Sequence, residues 1–235
     1  MTRAVVLTSG GLDSSTCLAM AVEKYGAAET DALNILYGQK NDRELASAKK
    51  IAEHYGVRYT LLDLRQIFSF SNSSMLRGST EEIPEESYAE QLKKLGGEGT
   101  VSTYVPFRNG TMLSSAASFA LSRGAEVIMY GAHADDAAGR AYPDCTPEFA
   151  EYMGKAIYEG SGRVLRLEAP FINMTKADIV RKGLELHVPY ELTWSCYEGR
   201  EKACGVCGTC RDRLKAFRLN GAEDPIEYER FPEDI

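Results

Sequence analysis

A hexapeptide, Ser9-Gly10-Gly11-Leu12-Asp13-Ser14, limits what this chain can fold into more than any other stretch. It follows an apolar run at residues 4–8 and leads into a helical pattern from Ser14 to about Lys24, so it reads as a strand–turn–helix junction. Two adjacent glycines let the backbone turn tightly and bring its N–H groups close to an anion. The N-terminus of the following helix adds the positive end of its dipole. Ser9 and Ser14 offer hydroxyl donors, and Asp13 can cap the helix or help to hold Mg²⁺. The lysine and spacing of G-x-x-x-x-G-K-[ST] are missing, so this is not a Walker loop. A plain tight turn with an N-cap is the other reading of a Gly-Gly junction.

The alternation of strand and helix continues beyond it. Residues 31–37 read as a second strand, 42–55 as an amphipathic helix closed by Gly56 as C-cap, and 57–64 as a third strand. Such alternation calls for parallel strands in an α/β sheet. Residues 65–100 break the pattern: they are rich in Ser, Glu and Gly and read as an insertion that could act as a lid. A helix near 111–122, a strand at 127–131 and a polar loop at 132–146 follow. Pro147 opens a further helix, 164–167 is a late strand, and 176–186 is helical. The cysteine segment and a last helix complete the chain.

The 235 residues carry a formal net charge of −7. One α/β domain of that length buries a full core without disulfide staples. Proteins that grip a nucleic-acid backbone usually show a basic footprint, so small-molecule substrates are expected and direct nucleic-acid binding is not. No apolar run is long enough to span a bilayer. Met1-Thr2-Arg3 runs straight into the first strand pattern, without the regions of a signal peptide. No membrane association and a cytoplasmic location are therefore expected.

Of six cysteines, Cys17 and Cys145 stand alone, whereas Cys196, Cys204, Cys207 and Cys210 cluster as C-x7-C-x2-C-x2-C. Disulfide frameworks belong to small secreted chains, so the cluster reads as a metal site. Gly205 and Gly208 in the short spacers permit tight knuckles that aim thiolates at one centre. Four thiolates without histidine suit a closed, structural zinc site. An iron–sulfur cluster also uses four cysteines, and a redox dithiol is a third reading.

The hexapeptide matches the SGGxDS signature of the PP-loop family, the N-type ATP pyrophosphatases. Further stretches resemble one branch of it, the 7-cyano-7-deazaguanine synthases. These are Tyr37-Gly38-Gln39-Lys40 with Glu44 following, and Thr103-Tyr104-Val105-Pro106-Phe107-Arg108-Asn109, similar to [TY]-x-V-P-x-R-N. Tyr142-Pro143-Asp144-Cys145 and Thr175-Lys176 with Ile179 are similar too, as is Leu192-Thr193-Trp194-Ser195-Cys196-Tyr197 ahead of the other cysteines. The resemblance runs from about residue 4 to residue 218. Two departures stand out. Gln39-Lys40-Asn41 replaces the frequent Gln-Arg-His, and the loop at 134–141 is a little longer than the form ending S-G-Y-P-D-C.

The resemblance implies a Rossmann-like, adenine nucleotide alpha hydrolase-type parallel α/β domain over 1–190. A small zinc-binding segment with a C-terminal helix would occupy 191–235. It implies ATP held along Leu7, Thr8, Ser9, Gly10, Gly11, Leu12, Asp13, Ser14, Ser15, Thr16 and Cys17, with Mg²⁺, and cut between its α- and β-phosphates. Asp13 and Lys176 would be catalytic. Arg108, Asn109, Tyr142 and Asp144 would orient the substrate, and Cys196, Cys204, Cys207 and Cys210 would bind zinc. The implied reaction joins 7-carboxy-7-deazaguanine and ammonia into 7-cyano-7-deazaguanine, a precursor of queuosine and archaeosine, with release of AMP and pyrophosphate. The chain has no room for a glutaminase domain, so free ammonia is the expected nitrogen source. A homodimer is left open.

Blander readings stand beside these. Arg108-Asn109 also reads as a helix cap and surface ion pair, Tyr142-Pro143-Asp144 as an ordinary turn, Lys176 as a solvated helix residue and Cys17 as a small core residue. His54, His133 and His187 show no triad or metal spacing and receive no role. The rival functions are a tRNA-modifying PP-loop enzyme acting by thiolation or lysidine formation, a homologue that modifies proteins, and a zinc-ribbon interaction module with a vestigial ATP loop.

Overall fold

Ala4–Leu7 (β1) and Thr30–Leu36 (β2) are buried on both faces, which suits strands covered by helices on either side. In the computed structural model, which describes residues 2–86, 88–199 and 201–232, they lie at the centre of one parallel sheet. Arg58–Asp63 (β3), Val127–Met129 (β4) and Arg166–Glu168 (β5) complete it in the order β3-β2-β1-β4-β5. The helices are Leu12–Tyr25 (α1), Arg43–Tyr55 (α2), Arg65–Phe68 (α3), Tyr88–Lys94 (α4) and Arg108–Arg123 (α5). Ala134–Ala137 (α6), Pro147–Gly160 (α7), Lys176–Glu185 (α8) and Gly208–Leu219 (α9) follow. None of these is long and apolar enough to cross a membrane.

Alternate residues of β1 feed two cores. Ala4 and Val6 pack with Leu18, Ile51, Phe171, Ile179 and Phe217 on the side of α1, α2, α8 and α9. Val5 packs with Leu33, Leu113, Ile128 and Leu165 on the side of α5 and α7. Because Ala216 and Phe217 belong to the first core, α9 is part of the main body and not an appendage to it. Gly56 closes α2 in the left-handed region, at φ 65°, as the C-cap reading expects.

Two stretches differ from the sequence reading. Residues 132–146 are more than a polar loop: α6 and two single 3₁₀ turns fold there, and Ala141, Tyr142, Asp144 and Cys145 are buried. The polar residues are inward because they brace the start of α5, as described below. The insertion at 65–100 is tied down in its first half. Lys40 N donates to Met75 O at 2.8 Å and Ser74 N to Ser102 O at 3.0 Å. Phe68, Met75 and Leu76 pack with Tyr37 and Val105, so this part forms a wall.

Candidate active site

β1 and β4 are neighbours, yet the chain leaves β1 towards β2 and leaves β4 towards β5. The loops at their C-terminal ends diverge and open a crevice, the usual ligand position in such sheets. Gly131, just after β4, lets the two loops touch: a Cβ there would lie 3.2 Å from the carbonyl carbon of Asp13 and 3.3 Å from Ser14 N. Gly10 has φ +87°, and a Cβ would lie 2.4 Å from both Ala48 N and Glu44 O. It therefore seats the loop against α2. Of the two adjacent loop glycines, Gly11 is the one that lines the cavity. The Ser9 and Ser14 hydroxyls stand 3.0 Å apart beside it.

Thr175 caps α8 through a capping box with Asp178, which makes Lys176 the first helical residue. Its backbone N–H donates to Asp135 Oδ2 at 2.7 Å, and its ammonium sits 3.2 Å from Asp13 Oδ2. Lys176 is only 8% exposed, which overturns the solvated-helix reading. Burial works against its charge, but the carboxylates of Asp13, Asp136 and Asp212 hold its pKa above the ordinary lysine value. Burial likewise works against the charge on Asp13, and Lys176, His133 and Arg213 outweigh it, keeping that carboxyl below the usual range. Both groups are thus ionised at neutral pH. His133 Nε2 lies 3.7 Å from Asp13 and 3.3 Å from Asp136. Asp13 Oδ1 is buried with no hydrogen-bond partner among the described residues.

The opposite wall comes from α5 and the anchored insertion. Arg108 is no surface ion pair: its guanidinium stands 5.2 Å from the centre of the Tyr37 ring and donates to the Tyr37 hydroxyl at 3.2 Å. Asn109 N donates to Asp144 Oδ2 at 2.7 Å, and its side chain donates to Asp144 O at 3.1 Å. Asp144 is therefore the acceptor that satisfies the first turn of α5. Burial pushes its carboxyl up, against the pull of Arg108 and that N–H.

Leu7, Thr8, Ser9, Gly11, Asp13, Ser14, Lys176, Arg108 and Asn109 line one cavity. Leu12, Ser15, Thr16 and Cys17 are buried away from it, and burial pushes the Cys17 thiol up. Thr16 is fully engaged with Leu12 O at 2.9 Å and the Tyr190 hydroxyl at 2.8 Å. Tyr142 and Asp144 stand one layer behind the cavity wall, Tyr142 bonding Thr103 at 2.6 Å. The tight helical turn at 143–145 directs Asp144 at α5, so the turn reading holds in form but the turn is buried.

The four clustered cysteines are buried, and their sulfur atoms all lie within 4.8 Å of one another, a spacing that could hold a metal ion. Backbone N–H groups of Glu198 and Cys204 donate to Cys196 Sγ, and that of Cys207 to Cys204 Sγ, each at 3.3 Å. Such donors favour thiolates.

The family model described as "Queuosine biosynthesis protein QueC" matches residues 3–221. The chain belongs to the QueC family. A 7-cyano-7-deazaguanine synthase from Caldicellulosiruptor bescii is 45% identical, over 97% of each chain. One from Archaeoglobus fulgidus is 43% identical over 95% of this chain and 89% of the relative. Among solved structures, the U34-tRNA thiolase NcsA from Methanococcus maripaludis with its [4Fe-4S] cluster aligns with a TM-score of 0.51 at 16% identity, over 83% of this chain and 61% of that one. NMN synthetase from Francisella tularensis aligns at 0.50 and 16%, over 94% and 78%. At these identities the likeness concerns the fold.

This QueC-family chain is therefore an enzyme, and residues that received no role from the sequence stand in or beside its cavity. His133 is 1% exposed between two carboxylates, which no spacing in the sequence signals. Glu44 and Gln39 line the cavity from the second motif, and Ser195 from the lead-in to the cysteines. Burial pushes the Glu44 carboxyl up to about 8, with Arg108 pulling the other way. Between its ordinary value of 4.5 and about 8, the folded protein holds a proton that the unfolded chain releases. Stability is thus lost as pH rises through that window. Glu44→Gln cannot ionise, so its melting temperature relative to the parent should climb between pH 5 and pH 9. Calorimetry at both values checks this; a constant difference would mean that Glu44 ionises as freely as a solvated carboxyl.

Proposed function

We propose that the chain is an ATP-dependent ligase that converts 7-carboxy-7-deazaguanine and ammonia into 7-cyano-7-deazaguanine. The observation that carries this reading is a single cavity with two unlike walls. One wall has the Gly11 loop with the Asp13–Lys176 pair, suited to polyphosphate; the other has Arg108, Asn109 and Tyr37, suited to a planar polar ring. Relatives that match nearly end to end are named for the product, 7-cyano-7-deazaguanine.

In the first stage a substrate carboxylate oxygen attacks the α-phosphorus of ATP, and the bond to pyrophosphate breaks. Ammonia then attacks the acyl carbon and AMP leaves, giving the amide. In the second stage the amide oxygen attacks the α-phosphorus of a second ATP and pyrophosphate leaves; loss of AMP and of both protons on the amide nitrogen leaves the nitrile. Each activation turns a poor oxygen leaving group into a good one. The loop's glycine backbone and hydroxyls hold the leaving pyrophosphate, and Lys176 neutralises its growing charge. Mg²⁺ fits Asp13, whose Oδ1 is buried and unpartnered among the described residues, with Asp136 close by; when bound it would offset phosphate charge. Arg108 offers its cation to the carboxylate of the acid substrate.

Zinc is the ion proposed for the cysteines. With Zn–S near 2.3 Å, tetrahedral ligands stand roughly 3.8 Å apart. Cys204 and Cys210 sulfurs are 4.0 Å apart, in keeping with one small ion. An iron–sulfur cluster puts its own iron and sulfide between the cysteines and needs them wider.

The test is incubation with 7-carboxy-7-deazaguanine, ATP, Mg²⁺ and ammonium. The nitrile should appear by mass with about two AMP per nitrile, and synthetic amide should need one ATP and no ammonia. An inert amide would end the single-site scheme, and absence of nitrile would end the assignment.

A further inference from the structure

Ser195 precedes the first cysteine of the cluster, yet it lines the phosphate-loop cavity. Its Oγ accepts from Leu12 N at 3.4 Å and from Arg213 Nη1 at 3.2 Å. A hydroxyl oxygen has two acceptor places and one proton. Both donors can only donate, so both places are taken. What remains is the proton, and among the described residues nothing accepts it.

Thr193, two residues earlier, makes the contrast. It too accepts from Arg213 Nη1, at 2.7 Å, but donates to Tyr190 O at 2.7 Å, so its hydroxyl is closed. Arg213 cannot swing away. It is 1% exposed, donates to both oxygens of Asp224 at 2.6 and 2.9 Å, and donates to Tyr190 O at 3.2 Å. A guanidinium has no acceptor and keeps its protons. The Ser195 hydroxyl is thereby fixed as a donor that faces the cavity. Gly11 lies between it and Ser9: a Cβ on Gly11 would be 3.3 Å from Ser9 Oγ and 3.8 Å from Ser195 Oγ. Two hydroxyls thus flank a cradle that any side chain at 11 would fill.

We propose that Ser195 donates its proton to an anionic phosphate oxygen of the nucleotide, so that the metal-binding segment completes the cradle begun by the β1–α1 loop. Arg213 is the positioning residue that acts through it. The proposal rests on the reading of that loop as the ATP phosphate site. A substrate carboxylate has the same acceptor chemistry, but the neighbours of Ser195 are Leu12 N and Gly11, and Arg108 serves the other wall.

The test is calorimetric titration of the metal-loaded protein with pyrophosphate, ATP and 7-carboxy-7-deazaguanine, for the parent, Ser195→Ala and Ser195→Thr. Metal content is measured for each. Ser195→Ala should keep its metal and bind pyrophosphate and ATP about tenfold to a hundredfold more weakly, the range for a lost charge-assisted hydrogen bond. Its affinity for the deazaguanine acid should not change. Ser195→Thr, which keeps the hydroxyl, should recover most of the loss; a purely structural role would not follow the hydroxyl in this way. Equal pyrophosphate affinity in the parent and Ser195→Ala overturns the proposal, as does a loss confined to the deazaguanine acid. A parent that binds neither ATP nor pyrophosphate brings down the loop reading itself, a different outcome that removes the basis of the proposal.

Discussion

Asp13→Ala should release AMP on the order of a hundredfold to a thousandfold more slowly than the parent while the sheet stays folded. The effect is large because Asp13 acts twice. Its Oδ2 holds the Lys176 ammonium 3.2 Å away, and its Oδ1 is buried without a hydrogen-bond partner among the described residues, a place for a cation brought with the nucleotide. Removing it both releases Lys176 from its position and deletes a charge at the cleavage point. A buried cation deprived of its partner usually destabilises a protein by about 3–5 kcal/mol. Here Asp136 and Asp212 remain close enough to act on Lys176, so a smaller loss is expected. The comparison is single-turnover AMP formation against a melting curve. Retention of more than about a tenth of the rate would take Asp13 out of the chemistry. Formation of ADP and phosphate in the parent would remove the pyrophosphatase mechanism altogether.

Local patterns carried much of this site in the sequence, and long-range packing carried the rest. The Ser9–Ser14 turn was legible because its pattern is local: glycines, hydroxyls and a helix start within six residues. The cysteines were legible because metal geometry imposes short spacings. Asp144 and Tyr142 were legible as important but not in their position, since a motif does not say which oxygen a neighbouring helix end will claim. His133 was overlooked because its environment is completed by Asp13 of α1, which follows a different strand, while the nearby Asp136 alone makes no recognisable spacing. Glu44 gains its environment from burial at the cavity wall beside Arg108 of α5, a contact between segments far apart in the chain. Tertiary contact decides such residues, and periodicity carries no record of it.

Loss of the cysteine-bound metal should cost more stability than any single side chain in the cavity. The apolar cluster around the four sulfurs is small, with Trp194, Ala203 and Tyr228 as its other buried members. Four-thiolate zinc sites supply roughly 10–16 kcal/mol of binding free energy that is coupled to folding. At this chain length each 1 kcal/mol moves the melting point by about 2–4 °C. Cys207→Ser, or the parent stripped by a chelator, should therefore melt roughly 10 °C or more below the metal-loaded protein. The damage should also reach the nucleotide. Trp194 N donates to Gly10 O at 2.9 Å, and Ser195 accepts from Leu12 N, so the lead-in to the cysteines clasps the phosphate loop. Trp194 in turn depends on the knuckle, its indole N–H donating to Cys196 O at 3.0 Å. Below its lowered melting point, Cys207→Ser should accordingly show a raised KM for ATP, with the KM for the deazaguanine acid changed less. The Arg108 wall is the reason, because Arg108 donates to the Tyr37 hydroxyl and to Met75 Sδ, neither of which belongs to the cysteine segment. Metal analysis, melting curves and the two KM values test the chain of dependence together. An unchanged melting point in Cys207→Ser would show that the cysteines do not hold a structural ion, and a lowered melting point with unchanged KM for ATP would cut the clasp out of the mechanism.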